Sequence, residues 1–180
     1  MAKCLKIKQS EIKLEAEMEK QINEKIIEIV HQANNMIPVV WDDLYIVIEM
    51  DKTCSGSAYF YFKYKGEYHY NLYISRDFGL SQEEVFNQSD ILFDKSEGLK
   101  RVFIDNDLSD WYICIIHLDE NNKLSVDFDY APWLESDFGP TDRINFFRYK
   151  FLGFEPRDEK EFERFKAMEA FQKEHKLNLY

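Results

Sequence analysis

The run Ala58-Tyr59-Phe60-Tyr61-Phe62-Lys63-Tyr64 restricts the fold more than any other part of the chain. Successive side chains of a strand point to opposite faces, so Ala58, Phe60, Phe62 and Tyr64 share one face and Tyr59, Tyr61 and Lys63 the other. Aromatic rings on both sides require that each face is at least partly covered, or that one is a contact surface. Lys65-Gly66 then makes a tight turn into a further extended run, Glu67–Ile74, which gives a hairpin. Leu44–Met50, rich in β-branched residues, precedes it as a third strand.

A second hairpin follows later. Trp111–Leu118 contains Ile113, Cys114, Ile115 and Ile116 in succession, the mark of a strand buried on both faces. Asp119–Asn122 supplies turn residues. Lys123–Tyr130 alternates, with Leu124, Val126, Phe128 and Tyr130 expected inward and Ser125, Asp127 and Asp129 outward. Helical spacing marks the rest. Met18, Ile22, Ile26, Ile29 and Ala33 fall on one face of a helix from about Ser10 to Asn35, which Ile37-Pro38 ends. Ser81-Gln82-Glu83-Glu84 is a capping box opening a helix with Val85, Leu92, Leu99 and Val102 in line. Gly98 makes this one bent helix or two. A helix from about Thr141 to Phe151 stops at Gly153 and Pro156, and a last one carries Phe162, Phe165, Met168 and Phe171. Strands joined by short turns pair antiparallel, so the expected class is α+β. An antiparallel sheet of about five strands is covered by N-terminal, middle and C-terminal helices. At 180 residues one domain is expected over 1–180, with 1–15 as an N-terminal extension and 157–180 as the C-terminal helix.

Charge narrows the function. The chain carries −11, and between Val102 and Asp142 ten acids face one base, Lys123, so that this stretch alone holds −9. Such a field repels phosphates, which disfavours direct binding to nucleic acid or an anionic membrane, and it attracts a basic surface. The plainer alternative is a solubilising face. Cys4, Cys54 and Cys114 lie far apart with no CxxC, as reduced thiols of a cytoplasmic protein do. No apolar run reaches the ~20 residues that cross a bilayer, and the Lys-rich N-terminus lacks the apolar core of a signal peptide.

Catalytic signatures are scarce. GxGxxG, GxxxxGK[ST] and GxSxG are all missing, and His31, His69, His117 and His175 stand alone. His117 reads as structural. Asp127 and Asp129 share a strand face and could hold Mg²⁺ in a metal-dependent hydrolase, but no third ligand is fixed by spacing, and a solvated face is the simpler account. No cofactor is expected. The segment 130–140 is more informative, because Trp133, Leu134 and Phe138 are interleaved there with Glu135 and Asp137. Trp133 is either core or an interface anchor ringed by charge.

Three groups of residues carry a resemblance. Asn35-Met36-Ile37-Pro38 with Trp41, followed by Ser57-Ala58-Tyr59-Phe60-Tyr61-Phe62, resembles the opening half of the YezG family of bacterial antitoxins. Val126-Asp127-Phe128-Asp129-Tyr130 with Glu135-Ser136-Asp137-Phe138-Gly139-Pro140 is similar to that family's most distinctive motif, and Tyr149-Lys150-Phe151-Leu152-Gly153 continues it. The likeness runs from roughly Lys20 to Pro156. It departs in about fifteen extra N-terminal residues and in the Asp77–Leu99 region. The resemblance implies a cytoplasmic, non-enzymatic immunity protein that neutralises the nuclease domain of a toxin exported by type VII secretion. The residues expected to meet that partner are Asp127, Asp129, Glu135, Asp137 and Asp142, with Trp133 and Phe138 as apolar anchors. Two other classes remain beside this one: the hydrolase using Asp127 and Asp129, and a chaperone or adaptor that escorts a secreted partner without inhibiting it.

Overall fold

The structure is a computed structural model that describes the backbone from Ala2 to His175 and the side chains from Glu15 to His175. Its centre is one antiparallel sheet of five strands: β1 (Asp43–Met50), β2 (Gly56–Tyr64), β3 (Glu67–Tyr70), β4 (Ile113–Leu118) and β5 (Leu124–Asp129). They lie in the order β3-β2-β1-β4-β5. The helices are α1 (Ala2–Met36), α2 (Ile74–Phe78), α3 (Gln82–Asp105), α4 (Pro140–Leu152) and α5 (Glu159–Glu174), so the class is α+β as expected. Among the described residues no helix is long and apolar enough to cross a membrane.

The register explains why both faces of the sheet are apolar. Ile46 of β1 stands opposite Phe60 of β2 and Ile116 of β4, and Ile48 opposite Ala58 and Cys114. These residues form one face, buried beneath Ile26, Ile29 and Ala33 of α1 and Val85, Leu92, Leu99 and Phe103 of α3. One residue along, Val47 meets Tyr59 and Ile115, and Tyr45 meets Tyr61. That second face lies beneath Phe147, Phe151 and Leu152 of α4. α5 stacks outside α4, placing Phe165 and Met168 against Phe146 and Trp133. A buried ion pair joins α4 to the sheet: Arg143 of α4 donates to Glu49 of β1 at 3.0 and 3.1 Å.

Three local expectations need correction, and one open alternative is decided. The extended run after β2 stops at Tyr70 and becomes a 3-10 turn (Asn71–Tyr73) leading into α2. Asn71 causes the break, since its buried Oδ1 accepts the Phe60 N–H at 3.1 Å and replaces the next rung of the ladder. α3 is one continuous helix across Gly98. A Cβ there would sit 3.6 Å from the Lys25 side chain, so the glycine meets α1 rather than breaking α3. Leu124, expected inside, is 42% exposed because it sits on an edge strand at the turn end of its hairpin. α1 begins at Ala2, ahead of Ser10. The turns follow their sequences. Lys65 and Gly66 adopt φ of 52° and 86°, the left-handed pair of a tight hairpin. Asp119 Oδ1 accepts the N–H groups of Asn121 and Lys123.

A candidate protein-binding surface on the acidic segment

The acidic stretch runs from the end of α3 through β4 and β5 to the start of α4, and its ten carboxylates divide by what they touch. Five are held by the chain itself. Asp110 pairs with the fully buried Lys100, whose ammonium also donates to the Trp111 carbonyl and lies 4.4 Å from the Trp111 ring. Asp119 closes its turn. Asp129 accepts three bonds: from the Ala131 N–H at 3.0 Å, from Trp133 Nε1 at 2.7 Å and from Gln172 of α5 at 2.6 Å. Glu135 accepts the Tyr112 hydroxyl at 2.7 Å, a bond that pushes the phenol up to about 12. Asp142 caps α4 by accepting the Gly139 N–H at 3.0 Å, and it accepts Arg164 at 2.8 Å.

The other five, Asp105, Asp107, Glu120, Asp127 and Asp137, are exposed, and among the described residues their carboxylates have no hydrogen-bond or ion-pair partner. Asp127 faces the same side of the sheet as Asp129, opposite Ile115. Asp137 sits on the loop before α4, where its carbonyl accepts Arg164 at 2.7 Å.

That loop is tied to its surroundings by packing and hydrogen bonds. Trp133 lies in a 3-10 turn (Trp133–Glu135) and is only 1% exposed, so its ring is core. It packs against Phe138, Phe146 and Phe171 with centroids 5.9, 6.1 and 5.0 Å away. Phe138 is half-buried, with the Arg164 guanidinium 4.6 Å from its ring centroid, and its carbonyl accepts Arg143 at 2.8 Å. Trp133 is thus placed to shape the loop from within, and Phe138 to show one edge.

Of the seven residues singled out by sequence, Asp127, Glu135 and Asp137 stand exposed, while Asp129, Trp133 and Asp142 are joined to α5. The fixing residues Arg143, Arg164, Gln172 and Lys100 had no signature in the sequence. Each acts across 10 to 94 positions of chain, and spacing alone carries no such information. Both oxygens of Asp129 already accept bonds from within the chain, which turns its carboxylate toward the loop and α5. Among the described residues no group of three or more His, Cys, Asp or Glu is placed to hold a metal. His117 is held by Asp43 at 2.7 Å and stacked on the Tyr45 ring at 3.9 Å, which accounts for it structurally. The gap between α4, α5 and the sheet, lined by Glu49, Tyr59, Asp129, Arg143 and Met168, measures about 30 Å³. That is room for roughly one water molecule.

Comparison with known proteins covers most of the chain. The chain is 29% identical over 158 residues to the type VII secretion system protein EsaG of Staphylococcus aureus, an alignment spanning 87% of this chain and 96% of that protein. It is 30% identical over 132 residues to immunity protein YezG of Bacillus spizizenii, spanning 72% of this chain and 81% of that one. Residues 18–166, from the described part of α1 through the sheet and the fixed loop into α5, match the family described as immunity protein YezG-like. The chain belongs to the YezG-like immunity protein family.

Proposed function

We propose that this chain is a cytoplasmic immunity protein that binds and neutralises the nuclease domain of a toxin exported by type VII secretion, without catalysis of its own. Membership of an immunity family supports the first half of that reading, and the name of the staphylococcal relative supports the secretion route. One observation carries the nuclease part. Among the described residues, the carboxylates of Asp105, Asp107, Glu120, Asp127 and Asp137 are left without internal partners on one continuous stretch. A nuclease presents a basic groove to the DNA backbone. Unpaired carboxylates on a rigid frame attract that groove without first breaking internal ion pairs, and steer encounter at up to ~10⁸–10⁹ M⁻¹s⁻¹.

Co-expression with the nuclease domain encoded beside this chain tests the reading. Wild type should restore growth, and the variant Asp105→Lys/Asp107→Lys/Asp127→Lys/Asp137→Lys, folded by circular dichroism, should not. Equal rescue by that variant would remove the acidic surface from the account, and no rescue by wild type would remove the toxin.

A further inference from the structure

β5 closes one side of the sheet, pairing with β4 and, among the described residues, with no strand beyond it. In an antiparallel ladder alternate residues aim their N–H and C=O at the partner strand, and the residues between aim theirs away. The phase is fixed one step outside the strand, where the Asp119 N–H bonds the Lys123 carbonyl at 3.2 Å. Ser125, Asp127 and Asp129 therefore point at β4, and the backbone groups of Leu124, Val126 and Phe128 point off the sheet. Among the described residues, none of these three has another backbone partner.

An open edge of this kind is a template for another strand, and proteins usually blunt it with proline, a bulge or a very short strand. β5 has six residues in unbroken register with β4 and contains no proline. The opposite edge is different, since β3 has four residues and runs straight into the Asn71–Tyr73 turn.

Charge selects the occupant. The α3 terminus places Asp105 and Asp107 just after Phe103, whose ring centroid is 5.0 Å from that of Phe128. Asp127 projects from the other face of β5, and Glu120 from its turn. A second copy of this chain paired edge to edge would oppose these carboxylates to their own duplicates, which is destabilising. An extended segment with Lys or Arg at neighbouring positions, and so on both of its faces, would meet both acidic flanks. We infer that the toxin docks by adding such a segment to β5 as a sixth strand, main-chain bonds supplying affinity and the flanking acids register. This deepens the toxin-binding reading and rests on it.

Val126→Pro is the discriminating variant. It deletes an N–H that β4 does not use and puts ring carbons where an added strand must approach; edge strands tolerate proline at that kind of position. Val126→Ala trims the same side chain and keeps the N–H. With the nuclease domain encoded beside this chain as the ligand, Val126→Pro should weaken Kd at least about 10-fold, as expected for roughly two lost main-chain bonds. Val126→Ala should stay close to wild type. Amide exchange on the unmodified proteins reads the same contact independently of how the variant folds: the Val126 amide should exchange fast when free and slowly in the complex. A folded Val126→Pro variant that binds like wild type, or a Val126 amide equally exposed in the complex, overturns the strand-addition mode while leaving toxin binding intact. Wild type that does not bind the nuclease domain overturns both. A homodimer of wild type dispersed by Val126→Pro overturns the choice of occupant in favour of a second copy.

Discussion

Asp129 carries three hydrogen bonds on one carboxylate and ties the end of β5 to the loop and to α5. Asp129→Ala strands the Trp133 indole N–H in the interior, and a buried donor without a partner costs about 1–3 kcal/mol. The melting temperature should fall by roughly 2–4 °C for each kcal/mol, whereas Asp127→Ala, with no partner to lose, should leave it unchanged. Equal losses at the two positions would contradict this division. Asp142 offers a second test, through pH. The Arg164 guanidinium holds its carboxyl below the usual carboxylate range, and the Gly139 amide adds to that. A lowered folded-state value means that folding favours the ionised form. The stabilisation is therefore complete above the unfolded value of about 4 and is lost as pH falls through the lower folded one. Asp142→Asn should melt below wild type at pH 7, with the gap narrowing in strong acid. A gap independent of pH would assign the effect to cap geometry alone. At this scale the sequence was a partial guide: it located the acids, but Asp127 and Asp129 look identical in an alternating strand. Bonds from Ala131, Trp133 and the distant Gln172, which alternation does not encode, separate the structural carboxylate from the free one.

At the scale of elements the sequence was far more legible, because periodicity is local. The aromatic alternation in β2, the serine before α3 and the glycine after α4 each fall where the structure needs them: Ser81 caps α3 by accepting the Glu84 N–H, and Gly153 takes φ 73° at the end of α4. Failures came where one side chain from elsewhere overrode the local pattern. Asn71 ended β3 by serving the Phe60 N–H, and Lys25 lies across the Gly98 gap. Asn71→Ala should cost about 1–3 kcal/mol by leaving that strand amide unpaired, and the Phe60 amide should then exchange faster than its neighbours. Unchanged protection at Phe60 would mean that the backbone turn holds without the side chain. The joint between α4 and the sheet is tested by Arg143→Ala, which leaves Glu49 buried and charged. Loss of one partner of such a pair costs about 3–5 kcal/mol, so this variant should be among the least stable single substitutions. Glu49→Gln combined with Arg143→Met should recover much of the loss, as replacement of both charges removes the stranded one.

For the whole molecule the relevant quantity is the uneven placement of charge. The stretch from Val102 to Asp142 holds −9 of the −11, leaving the remainder of the chain nearly balanced. Half of those ten acids are bound internally and fix the frame; the other half are bare and set the field outside it. The two groups should respond differently to salt. Internal pairs such as Arg143–Glu49 are shielded from the solvent, so stability should change little between 50 and 500 mM NaCl. Interactions among exposed charges are screened within a Debye length, about 10 Å at 0.1 M and shorter at higher salt. Association with a basic partner should therefore slow steeply over the same range, mainly through the on-rate. Neutralising four of the five bare acids by Asp105→Asn, Asp107→Asn, Asp127→Asn and Asp137→Asn should flatten that salt slope while the melting temperature holds. Stopped-flow association rates of wild type and variant, measured at three salt concentrations, decide the matter. Parallel slopes would mean that the partner is guided by something other than these carboxylates, and the division between frame and field would lose its functional meaning.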